Sequence, residues 1–307
     1  MEKSGKPRVA ITAGDPSGIG PEVAAKAAAD ASVLDVCEPL VYNVTPRVAF
    51  TPGELSAAAG RAAYDTIVRA TADACAGIVD GMATAPISKE ALRLAGLPWS
   101  GHTDLLADLT GSPHVAMMFY SDRLRVVLAT VHVPLADVPR LLTQASLEAT
   151  IDLTARELPR FLEHDRPPNI GVAGLNPHAG EHGLFGREEE ITLSPAIAAC
   201  RQRGVNVSGP FPGDTIFVRA VRGEFDAVIA CYHDQGLIPV KLLAFGQAVN
   251  VTLGLPIVRT SVDHGTAFDI AGRGIADPGS MIAAVKLAAR LVRANQHAGR
   301  ARHASRE

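Results

Sequence analysis

The chain has 307 residues, of which 47% are apolar and only 5% aromatic, with 29 Lys and Arg against 32 Asp and Glu for a formal net charge of −3. That length holds two α/β domains or one large one around a substantial core, and the near-neutral balance gives no electrostatic drive toward nucleic acid or an anionic membrane. Cys37, Cys75, Cys200 and Cys231 lie far apart without CxxC spacing, residues 1–8 are polar, and no apolar run reaches bilayer length. The expectation is therefore a cytoplasmic protein with reduced thiols, no zinc knuckle and no membrane span.

Arg8–Thr12 has the pattern of a short buried strand and leads through Gly14-Asp-Pro-Ser-Gly-Ile-Gly-Pro-Glu22 into an Ala-rich helix predicted over Val23–Ala31. Pro21 pre-sets φ at a first helical position, and a strand, loop and helix N-terminus is a common seat for anions. The loop matches neither GxxxxGK[ST] nor GxGxxG, so structural and anion-binding readings both stand. Next come a strand at Pro39–Val44, a helix over Leu55–Ala76, a strand within Gly77–Pro86 and a helix starting at Ser88-Lys89-Glu90. Gly101-His-Thr-Asp-Leu-Leu106 sets His102 and Thr103 at a loop-to-helix junction, as oxyanion ligands or as a surface residue and an N-cap. Val115–Tyr120 and Leu124–His132 read as a hairpin whose second strand places Thr130 and His132 on one face.

A helical section from Leu147 to His164 follows, and after Pro167-Pro168 a strand at Ile170–Leu175 delivers Asn176-Pro-His178. Arg187-Glu-Glu-Glu190 reads as a solvated face capping a helix to Gly204, Gly209–Gly213 as a rigid loop, and Asp214-Thr215 as a helix start. The alternation of helices and strands predicts an α/β protein with a mainly parallel sheet covered on both faces. Arg290, Arg293, Arg300, Arg302 and Arg306, with His297 and His303, mark a solvated helix end fraying into disorder, or an interaction arm.

Between Ala227 and Gly274 four short apolar runs stop or turn at polar groups: His233 and Asp234, Lys241, Asn250, Arg259, then Asp263 and His264. Strands in open α/β folds bring such residues to one sheet edge, and an imidazole, an ammonium, an amide and a guanidinium together suit an anionic, metal-chelated small molecule. His132, His178 and His233 each stand at or just past an apolar strand, 46 and 55 residues apart. Parallel strands would bring them together, where imidazole suits Zn²⁺ or Co²⁺ and three protein ligands leave a coordination position open. Cys231 is a fourth candidate beside its reading as a buried core thiol. Lys241 and Asp234 are the candidate catalytic residues. GxSxG, HExxH and Walker sequences are absent, which weakens hydrolase readings.

GDPSGIGPE, TAPISKEAL, GHTDLL, LNPHAGEHGLFGREEE, GPFPGDT, YHDQGL and VNVTLGLPIVRTSVDHGTAFDIAGRG resemble, in order and over nearly the whole chain, the 4-hydroxythreonine-4-phosphate dehydrogenase family of pyridoxal phosphate biosynthesis. The resemblance implies an isocitrate/isopropylmalate dehydrogenase-like fold: two α/β/α domains around a largely parallel sheet, with the active site in the cleft between them. It divides the chain into 1–98 with 270–307, and 99–269. It implies a divalent metal (Zn, Mg or Co) on His132, His178 and His233, shared across a homodimer interface, and a phosphorylated hydroxy-amino acid on His102, Thr103, Lys241, Asn250 and Arg259. It further implies NAD as hydride acceptor. Asp263–Ala276 resembles the adenosine-binding loop of isopropylmalate dehydrogenases, which makes His264, Gly265, Thr266 and Asp269 the cofactor residues. Relatives acting on 4-phospho-D-threonate, 4-phospho-D-erythronate or a dihydrodiol are not separated by these motifs, and an acyl transferase of related fold or a non-catalytic binding relative stands as another class. Two departures stand out: the chain is short between Tyr42 and Pro52, and Ser88 replaces the usual Asn.

Overall fold

The computed structural model describes residues 5–44 and 49–304, with side chains of the last helix described through residue 296. Two compact units divide the chain, one made of Met1–Pro113 and Leu255–Glu307, the other of His114–Gly254.

The first unit opens with β1 (Arg8–Thr12), α1 (Gly20–Ala28), the single turn α2 (Ala31–Leu34), β2 (Glu38–Tyr42), α3 (Ala57–Cys75), β3 (Gly81–Thr84), α4 (Lys89–Leu94) and α5 (His102–Leu109). The second unit holds β4 (Ala116–Tyr120), β5 (Arg125–Leu128), the single turn α6 (Val138–Leu141), α7 (Gln144–Glu157), β6 (Ile170–Ala173), α8 (Ser194–Gln202), β7 (Val207–Phe211), α9 (Gly213–Val221), β8 (Ala227–Ala230), α10 (His233–Ala244) and β9 (Val249–Leu253). The chain then returns to the first unit with β10 (Arg259–Ser261) and α11 (Gly279–Ala304).

In the first unit the strand order β2-β1-β3-β10 is parallel throughout. Helices α1 and α11 pack together against these strands, while α3 packs on β1 and β3 and also against α4. Val9, Ile11, Met82, Ile67 and Val23 are fully buried, which explains why β1 and β3 read as unbroken apolar runs. Ser56 caps α3 by accepting from the Ala59 N–H at 3.1 Å, and Ser88 caps α4 by accepting from the Ala91 N–H at 3.1 Å. The family departure at Ser88 thus carries a helix N-terminus. Thr12, Thr84 and Ser261 fall in one register row at the carboxyl ends of the strands.

The second unit is mixed. β4 pairs antiparallel with both β9 and β5, forming the expected hairpin, and β5, β8, β6 and β7 follow in parallel. Its core gathers Phe119, Val126, Ile216, Val228 and Val240 beneath α9 and α10. The predicted helical section begins earlier than expected, with the Thr143 capping box of α7, and closes after Glu157 in a 3₁₀ turn at Leu158–Phe161.

The compact units divide the chain at 113/114 and 254/255, where the expected division is 98/99 and 269/270; α5 packs on α3 and β10 ladders with β3. Other expectations are corrected. Gly209–Gly213 is not a loop: Val207–Phe211 is strand, and as an edge strand it tolerates Pro210. The charged segment at 187–190 is not wholly solvated, since Glu189 is 3% exposed and begins a π-helical turn over Glu189–Leu193. At the C-terminus α11 runs to Ala304; the side chains from 297 and residues 305–307, where fraying or an interaction arm is expected, lie outside the described residues, as do residues 45–48 of the shortened segment. Among the described residues no helix is long and apolar enough to cross a membrane.

Candidate active site

β5, β8 and β6 are neighbours in one parallel set, and His132, His233 and His178 each follow the carboxyl end of one of them. β5 ends at Leu128, so Thr130 and His132 stand on the loop beyond it rather than on a common strand face. The chain there is left-handed: His132 has φ 43° and His178 φ 53°, a region non-glycine residues enter sparingly and mostly where function demands it. The His132 and His233 rings lie 5.5 Å apart, and both line a cavity of about 240 Å³ with Thr130, Val138, Tyr232 and Asp234. Among the described residues no three His, Cys, Asp or Glu side chains of the chain gather into a group that could hold a metal. The structure therefore brings His132 and His233 together and leaves His178 outside that pair, its ring tilted against that of Phe185 at 6.0 Å between centroids.

Asp234 pairs with the Nδ1 of His233 at 2.7 Å, which orients the ring and leaves its other nitrogen as the one available to a ligand. Cys231 is not positioned as a ligand: it is buried, its Sγ donates to the Ala173 carbonyl at 3.2 Å, and burial pushes its thiol far up. Lys241 sits in the last turn of α10, exposed, rather than at a strand end. It lines a second cavity of about 440 Å³ with His233, Asp234, Ile238, Leu242 and Phe245. Asn250 lies on β9, half-buried, and its Oδ1 is sealed from solvent without a hydrogen-bond partner.

In the first unit the anion-binding candidates converge. Arg259 opens β10, 2% exposed, and its Nη2 donates to the Thr84 Oγ1 at 2.7 Å. Thr84 in turn donates to the Ser261 Oγ at 2.9 Å. His102 is the first residue of α5, with Gly101 and not Thr103 at the N-cap. Its Nε2 is buried without a hydrogen-bond partner, and burial followed by the Arg259 charge holds the imidazole well below its usual pKa. His102 is thus neutral at pH 7, and its ring offers a buried polar atom to a ligand.

The loop from Gly14 to Glu22 supports the cofactor candidates. The Ile19 N–H donates to the Thr266 carbonyl at 2.9 Å, Glu22 accepts from the Ala276 N–H at 2.8 Å, and Lys26 donates to the Gly274 and Ala276 carbonyls at 3.0 and 2.8 Å. This answers in favour of a structural role for the loop, with one residue left over. Asp15 is 1% exposed; one carboxylate oxygen accepts from Ser17 N–H at 2.9 Å, and burial raises its pKa against the backbone donors of Ser17 and Ser88. Sequence reasoning did not single out Asp15 or Thr84; the signal was their place at the ends of β1 and β3. Gly14 is needed for this turn, since at φ 69° an added Cβ would run into the Pro86 carbonyl oxygen and also meet the Ala85 carbonyl at 3.0 Å. Asp269 is exposed, and the His264 Nδ1 lies 3.0 Å from the Gly265 carbonyl oxygen.

Chains of this architecture include dehydrogenases of the isocitrate type: the structure of isocitrate dehydrogenase from Methylococcus capsulatus shares the fold at a TM-score of 0.50 and 16% identity, over 93% of this chain and 87% of that one. The family model described as pyridoxal phosphate biosynthetic protein PdxA matches residues 10–288, and the chain belongs to that family. It is 48% identical over 320 residues to the 4-hydroxythreonine-4-phosphate dehydrogenase of Beijerinckia indica, covering 92% of this chain and 94% of that protein. It is 44% identical to the D-threonate 4-phosphate dehydrogenase of Cupriavidus necator, covering 93% and 97%. The crystal structure of 4-hydroxythreonine-4-phosphate dehydrogenase from Klebsiella pneumoniae matches with a TM-score of 0.83 and 42% identity, over 94% of this chain and all (100%) of that one. These relatives are dehydrogenases, and the chain is an oxidoreductase of their kind.

Proposed function

We propose that the protein is a metal- and NAD-dependent dehydrogenase that oxidises a phosphorylated 3-hydroxy acid and releases CO₂, with 4-hydroxythreonine 4-phosphate as substrate. A second reading, 4-phospho-D-threonate, is favoured by the similar identity to the D-threonate 4-phosphate dehydrogenase. The observation that carries the proposal is the succession of His132, His233 and His178 past the ends of three adjacent parallel strands.

As donors the three imidazoles suit Zn²⁺ and Co²⁺ better than Mg²⁺, and Asp234 already holds the Nδ1 of His233; because they do not gather into one group within the chain, the ion would be shared across the proposed homodimer. His132, His178 and His233 would hold the ion, which when bound would polarise the substrate hydroxyl and lower its pKa. NAD would accept the hydride, and an exposed Asp269 carboxylate suits a ribose hydroxyl donor. Arg259 and neutral His102 would bind and orient the anionic substrate, with Thr103, Asn250 and Lys241 completing its contacts. The buried guanidinium excludes water from the charge it meets, so its pairing with phosphate or carboxylate is stronger than on a surface.

A homodimer is proposed on the outward face of α10, where Ile238, Leu242 and Phe245 are 58%, 82% and 80% exposed beside Lys241 and His233. A cytoplasmic location goes with the small-molecule chemistry. Incubation of metal-loaded protein with NAD and 4-hydroxythreonine 4-phosphate should yield NADH and CO₂ in equal amounts; NADH without CO₂ would remove the decarboxylation, and no NADH would remove the substrate.

A further inference from the structure

Past the last ladder bonds of β5, β8 and β6 the three histidine-bearing segments are tied to one another by side chains that none of the roles above uses. Thr130 donates its Oγ1 to the Cys231 carbonyl at 2.7 Å. Gln235, in the first turn of α10, accepts from the Cys231 N–H at 2.6 Å and donates its Nε2 to the Gly174 carbonyl at 2.7 Å. Glu189 accepts from the Leu175 and Asn176 N–H groups at 2.8 and 2.7 Å through one oxygen, and from the Asn176 Nδ2 at 2.9 Å through the other. These bonds run from residue 130 to 231, on to 174, and end at 175 and 176. They approach His132, His233 and His178 to within two residues each.

The chemistry of the head groups is specific. At position 235 one partner is an N–H and the other a carbonyl, so the side chain must present an acceptor and a donor on one planar head, which an amide does. At position 189 the partners are all donors, which suits a carboxylate, and it is 3% exposed on the π-helical turn that aims it inward. Gly180, two residues after His178, is left-handed at φ 83°, where a side chain is strained, and a Cβ there would stand 2.8 Å from Glu189 Oε2. His178, Ala179, Glu181 and His182 are left-handed at φ 53°, 52°, 41° and 54°, conformations that cost of order 1 kcal/mol or more each and persist where the surroundings over-determine them.

We propose that Gln235 and Glu189 are positioning residues that fix the backbone segments leading into His233 and His178 before a metal arrives. This rests on the metal reading given under Proposed function. Gln235→Met fills the same volume and removes both bonds; Gln235→Glu keeps acceptance from Cys231 and turns a carboxylate onto the Gly174 carbonyl.

Metal-free protein titrated with Co²⁺, read by visible absorption, together with amide hydrogen exchange of the metal-free protein, tests this. Wild type should bind Co²⁺, Gln235→Met should raise the Kd by roughly 10- to 100-fold and alter the spectrum, and Gln235→Glu should fall between them, as should Glu189→Gln. In metal-free Gln235→Met and Gln235→Glu the amides of Leu175, Asn176 and Cys231 should exchange faster than in wild type. Unchanged Co²⁺ affinity and spectrum in a folded Gln235→Glu protein, whatever its melting temperature, would overturn the inference while leaving the metal reading intact. If wild type itself binds no Co²⁺, or His178→Ala binds it as tightly, the metal reading fails and this inference with it.

Discussion

Arg259→Met should make the free protein more stable and the enzyme far poorer. Arg259 is 2% exposed, and burial pushes its pKa down from 12.5 to about 9, which leaves it charged at pH 7 but at a cost. At about 1.4 kcal/mol per tenfold change in proton affinity, the difference between those values caps that cost at about 5 kcal/mol. The lowered pKa means the unfolded state holds more protons between pH 9 and 12.5, so stability rises with pH across that window and the cost is fully present below it. Methionine keeps much of the apolar stem and removes the charge. Losing the bond to Thr84 Oγ1 costs about 1 kcal/mol, and relaxation around a real guanidinium lowers the ceiling further, so a net gain of about 2 kcal/mol is expected. At roughly 2–4 °C per kcal/mol the free protein should melt about 4–8 °C higher at pH 7. With the phosphorylated substrate, loss of two charge-assisted hydrogen bonds, about 4 kcal/mol, should lower kcat/KM by about a thousandfold. Arg259→Lys should be intermediate in kinetics, since an ammonium cannot reproduce a bidentate contact. Thermal melts of the free protein and NADH kinetics check both halves; a lower melting temperature joined to unchanged kcat/KM would refute the reasoning.

Three further outcomes are expected. Because His102 is held well below its usual pKa, its unfolded form binds a proton that the folded form refuses, so stability should fall as pH drops below about 6.5, by up to ~1.4 kcal/mol per pH unit; His102→Gln should flatten that slope in melts from pH 7.5 to 5. Asp269→Ser should erode a preference for NAD over NADP of about tenfold to several hundredfold, the repulsion of a 2′-phosphate by one carboxylate at about 4 Å; paired kcat/KM values for the two cofactors decide it. Gly14→Ala should cost more than about 2 kcal/mol, combining strain at φ 69° with a clash against the Pro86 carbonyl oxygen, in urea unfolding.

Much of the site was legible because parallel strands end in short buried runs that announce themselves. Ala227–Ala230 and Ile170–Ala173 are wholly buried, so the histidines after them stood out. Helix α10 was not legible, since it buries Leu237 and Val240 and also exposes Ile238, Leu242 and Phe245, which erases the polar face that would mark a helix, and Pro239 adds a false break. Lys241 consequently read as a strand end. Glu189 was masked by Glu188 and Glu190: three like charges read as solvent-facing, and the π-helical turn that rotates one of them inward has no sequence signal. Gly209-Pro-Phe-Pro-Gly213 read as a loop because proline is excluded from central strands, and only an edge position admits it. His132 and His178 were found, but not their left-handed backbone, which depends on contacts from residues distant in sequence.

The central claim is tested most directly by NADH formation from metal-stripped protein given NAD and a panel of 4-phosphorylated and unphosphorylated hydroxy acids, before and after adding Zn²⁺ or Co²⁺. The account predicts turnover that requires both the metal and the 4-phosphate, disappears in His178→Ala, and is greatest on 4-hydroxythreonine 4-phosphate or 4-phospho-D-threonate. Equal turnover without metal, or indifference to the phosphate, would contradict it.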